Sequence, residues 1–273
     1  MHRVIIFSGC VFMFLCCSVN ESARLSQLPA PAGRQESAAA AEKEKTAPVK
    51  KDIHAKTLID ALFAGDNKKA SSLAPRVFNP HYRDNKQYTA LIWAARKRNL
   101  SAVKALLKSG ADPNAKNSGG QTAFMWACVN DDAMMCWHLL KAGAKINGTE
   151  NHGNTGLHAA ADLCYPKLIK YLVSIGADIH IKSKLNDTAL HAAARSGCAE
   201  AASFLISRGA DIEAKTMEGF TPLIVASFYG QEKVVKTLLK AGADRKAKSK
   251  DGFTAVQAAK YKGYKDIEAL LKE

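Results

Sequence analysis

One triplet recurs along this chain at a fixed step. Thr89-Ala90-Leu91, Thr122-Ala123-Phe124, Thr155-Gly156-Leu157, Thr188-Ala189-Leu190, Thr221-Pro222-Leu223 and Thr254-Ala255-Val256 stand 33 residues apart, with no insertion between them. A second marker keeps the same step: Gly110-Ala111-Asp112, Gly143-Ala144-Lys145, Gly176-Ala177-Asp178, Gly209-Ala210-Asp211 and Gly242-Ala243-Asp244. A period of this length means that each unit is one supersecondary block, too small to bury its own apolar face, so that neighbours must bury it. The 273 residues, which by length alone suggest one or two globular domains, therefore read as a one-dimensional array.

The residues of a unit predict its parts. Each Thr stands before an Ala-rich apolar segment such as Ala189–Ala194, where its hydroxyl can cap a first helix. The small pairs Ala94/Ala95, Ala127/Cys128, Ala160/Ala161 and Ala193/Ala194 let neighbouring helices approach closely. A second amphipathic segment carries the apolar pairs Leu106-Leu107, Leu139-Leu140, Leu172-Val173, Leu205-Ile206 and Leu238-Leu239. The Gly of each Gly-Ala-Asp falls just past it, where a left-handed residue ends a helix. The stretch from there to the next Thr turns back as a hairpin loop.

The Thr block at this period resembles the ankyrin-repeat family, whose signature is Thr-Pro-Leu-His-x-Ala every 33 residues. The resemblance covers residues 53–273 and implies an all-α solenoid of helix-turn-helix-hairpin units. Lys56–Val77 keeps Leu58, Ala61, Leu62, Gly65 and Leu73 in phase without the Thr block, which reads as a degenerate first unit of seven. In the last unit Lys260, Glu268 and Lys272 replace small or apolar residues, as a polar terminal cap requires. The turn between the two helices carries Gly65, Gly197, Gly230 and Gly263, but Arg98, Asp131 and Cys164 in three consecutive units. A side chain in left-handed geometry there costs about 1–2 kcal/mol.

The first fifty residues differ in character. Met1-His2-Arg3 precedes an apolar run, Val4–Cys17, interrupted by Ser8 and Gly9. This fits a secretory signal peptide over 1–17, too short to span a bilayer; a retained anchor is the alternative. Phe14-Leu15-Cys16-Cys17 resembles the lipobox of bacterial lipoproteins and implies lipidation at Cys17. Cys10 is a second acceptor, and plain cleavage after Ser18 a third reading. Residues 18–52, with three prolines, the run Ala38–Ala41 and Glu42-Lys43-Glu44-Lys45, predict a flexible linker to the array over 53–273. A coil of this length spans about 30–35 Å. The expected location is outside the cytoplasm: periplasmic, membrane-anchored by lipidation, or secreted, in a bacterium.

Catalysis finds little footing. His158, Asp162 and Cys164 could be read as a nucleophilic set, but His158 and His191 are the His of the Thr-x-x-His block, which in ankyrin repeats bonds to backbone and ties adjacent units together. No Cys-x-x-Cys, His-Glu-x-x-His, EF-hand spacing or phosphate loop occurs, so no cofactor or metal is expected. Equivalent positions of stacked units lie about 10 Å apart, beyond the reach of a disulfide. Cys128, Cys136, Cys164 and Cys198 are therefore predicted to be buried thiols, with Cys128–Cys136 as the nearest pair.

What remains is surface. The family resemblance implies a partner across the hairpin tips and the exposed side of the first helices. Toward the N-terminus that face holds Tyr88, Trp93, Arg96, Gln121, Trp126 and Asn130. In the middle it holds Asn154, Asp162, Asp187 and Arg195, and toward the C-terminus Phe220, Phe228, Tyr229, Phe253 and Tyr261. Aromatic and Arg residues are common interface anchors, and aromatics at both ends with a polar middle suit an extended protein partner. For Trp93 and Trp126, packing between units is the competing role. The net charge is +14, spread as +8 over 53–118, −2 over 119–232 and +6 over 233–273. The basic ends offer a second partner class, an anionic lipid or envelope polymer, while an exported protein is not expected to meet nucleic acid. A monomer is expected.

Overall fold

The computed structural model describes residues 49–272, Phe78 excepted. The signal peptide over 1–17 with Cys17, and the linker as far as residue 48, lie outside the described residues. Fourteen α-helices among the described residues follow one another in pairs. These are α1 (Val49–Ala64) with α2 (Asn67–Leu73), α3 (Ala90–Arg96) with α4 (Leu100–Lys108), α5 (Ala123–Val129) with α6 (Ala133–Lys141), and α7 (Gly156–Asp162) with α8 (Pro166–Ser174). Then come α9 (Ala189–Ser196) with α10 (Ala199–Ser207), α11 (Pro222–Phe228) with α12 (Glu232–Lys240), and α13 (Ala255–Lys262) with α14 (Lys265–Lys272). No named strand occurs among the described residues; the one isolated bridge joins Arg83 and Thr89. The first helices α3, α5, α7, α9, α11 and α13 pack in sequence. Outside them α4 lies against α6, and α8, α10, α12 and α14 lie against one another in turn. The fold is an all-α repeat solenoid.

The expected caps are all present. Thr89, Thr122, Thr155, Thr188, Thr221 and Thr254 each accept a hydrogen bond from the backbone N–H three residues on, at 3.3–3.4 Å. In three units the third residue reaches back: His158, His191 and Gln257 close capping boxes, which satisfies a second orphan donor. The backbone N–H of Thr188 can only donate, so His191 Nδ1 accepts at 3.2 Å. The proton then sits on Nε2, which donates to Phe220 O of the next unit at 3.0 Å. His158 does the same with Asp187 O at 3.1 Å. Each His thus fixes a helix start and the position of the following hairpin together.

The hairpins are tied to one another by backbone. Ser118 N donates to Lys86 O, Asn151 N to Gly119 O, Lys184 N to His152 O, Met217 N to Leu185 O and Lys250 N to Glu218 O, at 2.7–3.2 Å. Inside each tip one side chain accepts from the N–H four residues on. Asp84, Asn117, Glu150, Ser183, Thr216 and Ser249 do this in successive units, at 2.8–3.1 Å. The core runs through the array as Leu91, Phe124, Leu157, Leu190 and Leu223 with the buried alanine pairs. At its C-terminal end Lys260 and Lys272 are exposed, and Lys272 Nζ pairs with Glu268 at 2.6 Å. That polar surface is the expected cap. At the other end the helices of Lys56–Val77 bury Leu58, Leu62 and Ala70.

Arg98, Asp131 and Cys164 do adopt left-handed backbone, with φ of 57°, 54° and 54°. The equivalent Gly197 takes the same left-handed backbone, with φ of 78°. The cysteine expectation needs correction. Spacing predicts four free thiols, but Cys164 and Cys198 form a disulfide, with Cα atoms 5.2 Å apart. The 10 Å separation applies to equivalent positions of neighbouring units. Cys198 lies one residue beyond the equivalent of Cys164, at the N-cap of α10, and that offset brings it across the gap. Cys128 and Cys136 are the free, buried pair, with sulfurs 3.8 Å apart. Burial and each other's proximity push the Cys128 thiol well above its ordinary pKa, which makes it inert as a nucleophile.

Two stability outcomes follow from these ties. The bridge closes 34 residues, a loop for which chain entropy gives about 3–4 kcal/mol. Reductant should lower the urea midpoint of the native sequence and leave Cys198→Ser unaffected. The second concerns pH. Burial holds His158 and His191 below their ordinary value of 6.5, outweighing the carbonyl bonds that favour the charged ring. The unfolded chain takes up protons near pH 6.5 that the folded rings refuse, so stability present above 6.5 is lost as pH falls toward 5. Urea titrations at pH 7.5 and 5 should show this drop, and His191→Gln, able to cap as Gln257 does, should shrink it.

Candidate functional site

The last turn of each first helix and the tip before it present one face, and three clusters occupy it in order along the array. Nearest the N-terminus, α3 ends on Arg96, whose guanidinium lies 5.0 Å from the Trp93 ring, 4.8 Å from Trp126 and 5.7 Å from Tyr88. Trp93 is held in turn. Its Nε1 donates to Asp84 Oδ2 at 2.8 Å, its ring meets Tyr88 at 4.9 Å, and Phe63 of α1 stands edge-on at 5.4 Å. Trp93 and Trp126 are each 5% exposed, so they are packing residues between units. Arg96 and Tyr88 are half-buried and form the accessible surface of the cluster. Asn130 donates from Nδ2 to Ala95 O at 2.9 Å, and Gln121 accepts from Asn117 at 2.9 Å.

The middle of the face is charged. Arg195 on α9 donates from Nε to Asp162 of α7 at 3.0 Å and from Nη1 to Asp187 at 3.5 Å. These side chains are only 13–17% exposed. Burial pushes the Asp162 carboxyl up, and Arg195 pulls against it without fully offsetting it. Burial disfavours the Arg195 cation, but the two carboxylates outweigh that and raise its pKa. One cation thus bridges two units and two acids, leaving a centre of net negative charge. Burial also raises the Tyr229 phenol, with Arg195 opposing. Asn154 is engaged with Glu150 Oε1 at 2.8 Å. The disulfide sits beside this centre, two residues after Asp162 and three after Arg195.

Toward the C-terminus the face is aromatic again. Phe228 stacks with Tyr261 at 6.4 Å and meets Tyr229 edge-on at 5.4 Å, and Lys262 Nζ lies 4.4 Å from the Phe228 ring. Phe220 meets Phe253 at 6.5 Å. Phe220 and Phe228 are buried, Tyr229 and Phe253 half-buried, and Tyr261 is 63% exposed. An open cleft of about 430 Å³ at this end is lined by Arg245, Lys246, Lys248 and Lys272 over Val256 and Leu271.

The set His158, Asp162 and Cys164 does not assemble into a nucleophilic site. Both ring nitrogens of His158 are used in the cap and the inter-unit bond, Asp162 is paired with Arg195, and Cys164 is in a disulfide. No three His, Cys, Asp or Glu side chains among the described residues converge as metal ligands. One feature escaped the sequence analysis: Trp137, exposed on α6, where other units carry Lys104, Lys170 or Lys236. Aligning the units on their period would have singled it out.

Comparison with known families agrees with this architecture. A model described as ankyrin repeats (3 copies) matches residues 110–183 and 157–249, and a second, ankyrin repeats (many copies), matches 76–125. No curated protein matches the chain. With more than half of its length matched and the caps, inter-unit histidines and hairpin ladder in register, the chain belongs to the ankyrin-repeat family.

Proposed function

We propose that this protein is an exported scaffold, without catalytic activity, that holds an extended segment of another protein along the face just described. Ankyrin repeats mark a protein–protein interaction scaffold; the exported location and the use of this face are the proposal. The observation that carries it is the order of the clusters. An aromatic–arginine surface at Tyr88 and Arg96 and an aromatic–lysine surface at Tyr261 and Lys262 bracket the acidic centre at Asp162, Arg195 and Asp187. A partner segment with apolar anchors at both ends and a cation or donors between them fits that sequence of surfaces. Rigidity helps, since a face fixed by backbone ladders loses little entropy on binding.

Export rests on two independent supports. The N-terminal sequence has the order of a secretory signal. The Cys164–Cys198 bridge is also of the kind that persists in oxidising compartments and is rare in the cytosol.

Partner capture tests the face. Tyr88→Ala, Arg96→Ala and Tyr261→Ala should each weaken capture about tenfold, as anchors at a protein interface do, with the helical circular dichroism unchanged. Undiminished capture by all three folded variants would remove the face. Trp126 and Phe228 are unsuitable for this test, because their burial makes them core. Intact mass of the protein from its own cells tests export. A species beginning at Cys17 with acyl chains, or shortened by cleavage near Ser18, and one disulfide are expected; a full-length, fully reduced cytosolic species would contradict it.

A further inference from the structure

The outward side of the second helices carries a patch that the partner face does not use. Trp137 on α6 is 45% exposed, Met134 one turn before it 58%, and Ile175 just past α8 40%. A single exposed apolar side chain is ordinary, but Met134 and Trp137, three residues apart on α6, share one side of that helix, and Ile175 ends the second helix of the next unit. Tyr171 of α8 is half-buried beside them, close enough to Cys136 of α6 for that group to help raise its phenol, after burial.

Cations surround this patch. Lys104 on α4 and Lys170 on α8 hold the register of Trp137 in the units before and after it, one helix spacing of about 8–10 Å away on either side. Lys141 Nζ lies 5.1 Å from the Trp137 ring, and His138 meets that ring at 4.6 Å. Burial and then Lys104 and Lys141 hold His138 below its ordinary pKa, so both ammonium groups lie near it. Lys167 stands in the first turn of α8. Of the acids nearby, Asp132 caps α6 through Met135 N at 2.8 Å, Glu200 pairs with Lys170 at 2.8 Å, and Asp131 is exposed in the turn before α6, so Lys104, Lys141 and Lys167 supply the cations that no ion pair among the described residues engages.

We propose that this outer face of α6 and α8 seats on the surface of an anionic lipid bilayer. Trp137 and Met134 enter the headgroup region, where an amphipathic ring is favoured. The flexible lysine stems extend around them to lipid phosphates. A diffuse ring of separated lysines about an aromatic centre complements a plane of negative charge. No helix among the described residues is long and apolar enough to cross a membrane, so the contact is peripheral. It lies on the outer helices, away from the tips, and leaves the partner face open. It also differs from adhesion through the basic ends, because its centre falls in the middle units.

Vesicle sedimentation of the full chain, made without acylation, tests this with phosphatidylglycerol–phosphatidylcholine vesicles against phosphatidylcholine alone. Preferential binding to the anionic vesicles that weakens from low to moderate salt is expected. Trp93 and Trp126 are buried, so a shift of tryptophan emission to shorter wavelength reports Trp137. Trp137→Ala should abolish the shift and cut partitioning about tenfold, as loss of a large interfacial ring does. Lys104→Gln and Lys141→Gln should each cut it about fivefold, and circular dichroism should not change. Tyr88→Ala and Arg96→Ala should leave it unaffected, so failure here and failure of the partner face are distinguishable. Equal binding to neutral vesicles, an unshifted emission, or undiminished partitioning of Trp137→Ala overturns the proposal. So does a patch that proves to be a protein contact, with Trp137→Ala abolishing self-association or partner capture while vesicles bind no chain.

Discussion

Two short helices and a hairpin cannot bury enough apolar surface to hold themselves, and everything in this molecule depends on the tie from one unit to the next. That tie has three parts. Apolar first helices pack side by side through small residues such as Ala193 and Ala194. A buried His Nε2 donates across the unit boundary to Asp187 O or Phe220 O. The hairpin tips pass one backbone hydrogen bond from each unit to the next. Because the packing and the ladder recur at every step, and the His bond at two of them, an insertion between Thr89 and Thr254 would break several ties at once. The regularity of the sequence is the direct consequence.

The proposed binding face is a by-product of the same contacts. Trp93 and Trp126 fill space between units, and in doing so they hold Arg96 over their rings at the surface. Asp162 and Arg195 join α7 to α9, and the same pair sets the charge of the centre. Phe228 packs inward while Tyr261, stacked upon it, faces solvent. Stability and presentation therefore share residues, and substitutions of the buried members change both. The Cys164–Cys198 bridge adds a covalent tie where the turn before α8 uses a left-handed cysteine in place of glycine.

Much of the fold was legible because its signals are local. The Thr caps, the left-handed Gly ends and the charged final unit each depend on a few neighbouring residues, and all appear as expected. Other features depend on three-dimensional offsets. The disulfide arises from a one-residue shift between Cys164 and the equivalent of Cys198, which a distance between equivalent positions cannot anticipate. The tip acceptors escaped notice because Asp84, Asn117, Glu150, Ser183, Thr216 and Ser249 differ in chemistry and share only the ability to accept a hydrogen bond. The family resemblance points to the tips and first-helix ends, but it does not say which of their residues are buried. Exposure of Trp126 or Phe228 is decided by the adjoining unit and not by either residue.

The claim at the centre of this account is that tips and first-helix ends form the partner surface. Hydrogen exchange of the full chain, alone and with its captured partner, tests it most directly. Added protection is expected in the tips around 84–88 and 216–220 and in the last turns of α3, α9, α11 and α13, with the outer helices unchanged. Protection confined to α4, α8 and α12, with the tips exchanging as before, would contradict it.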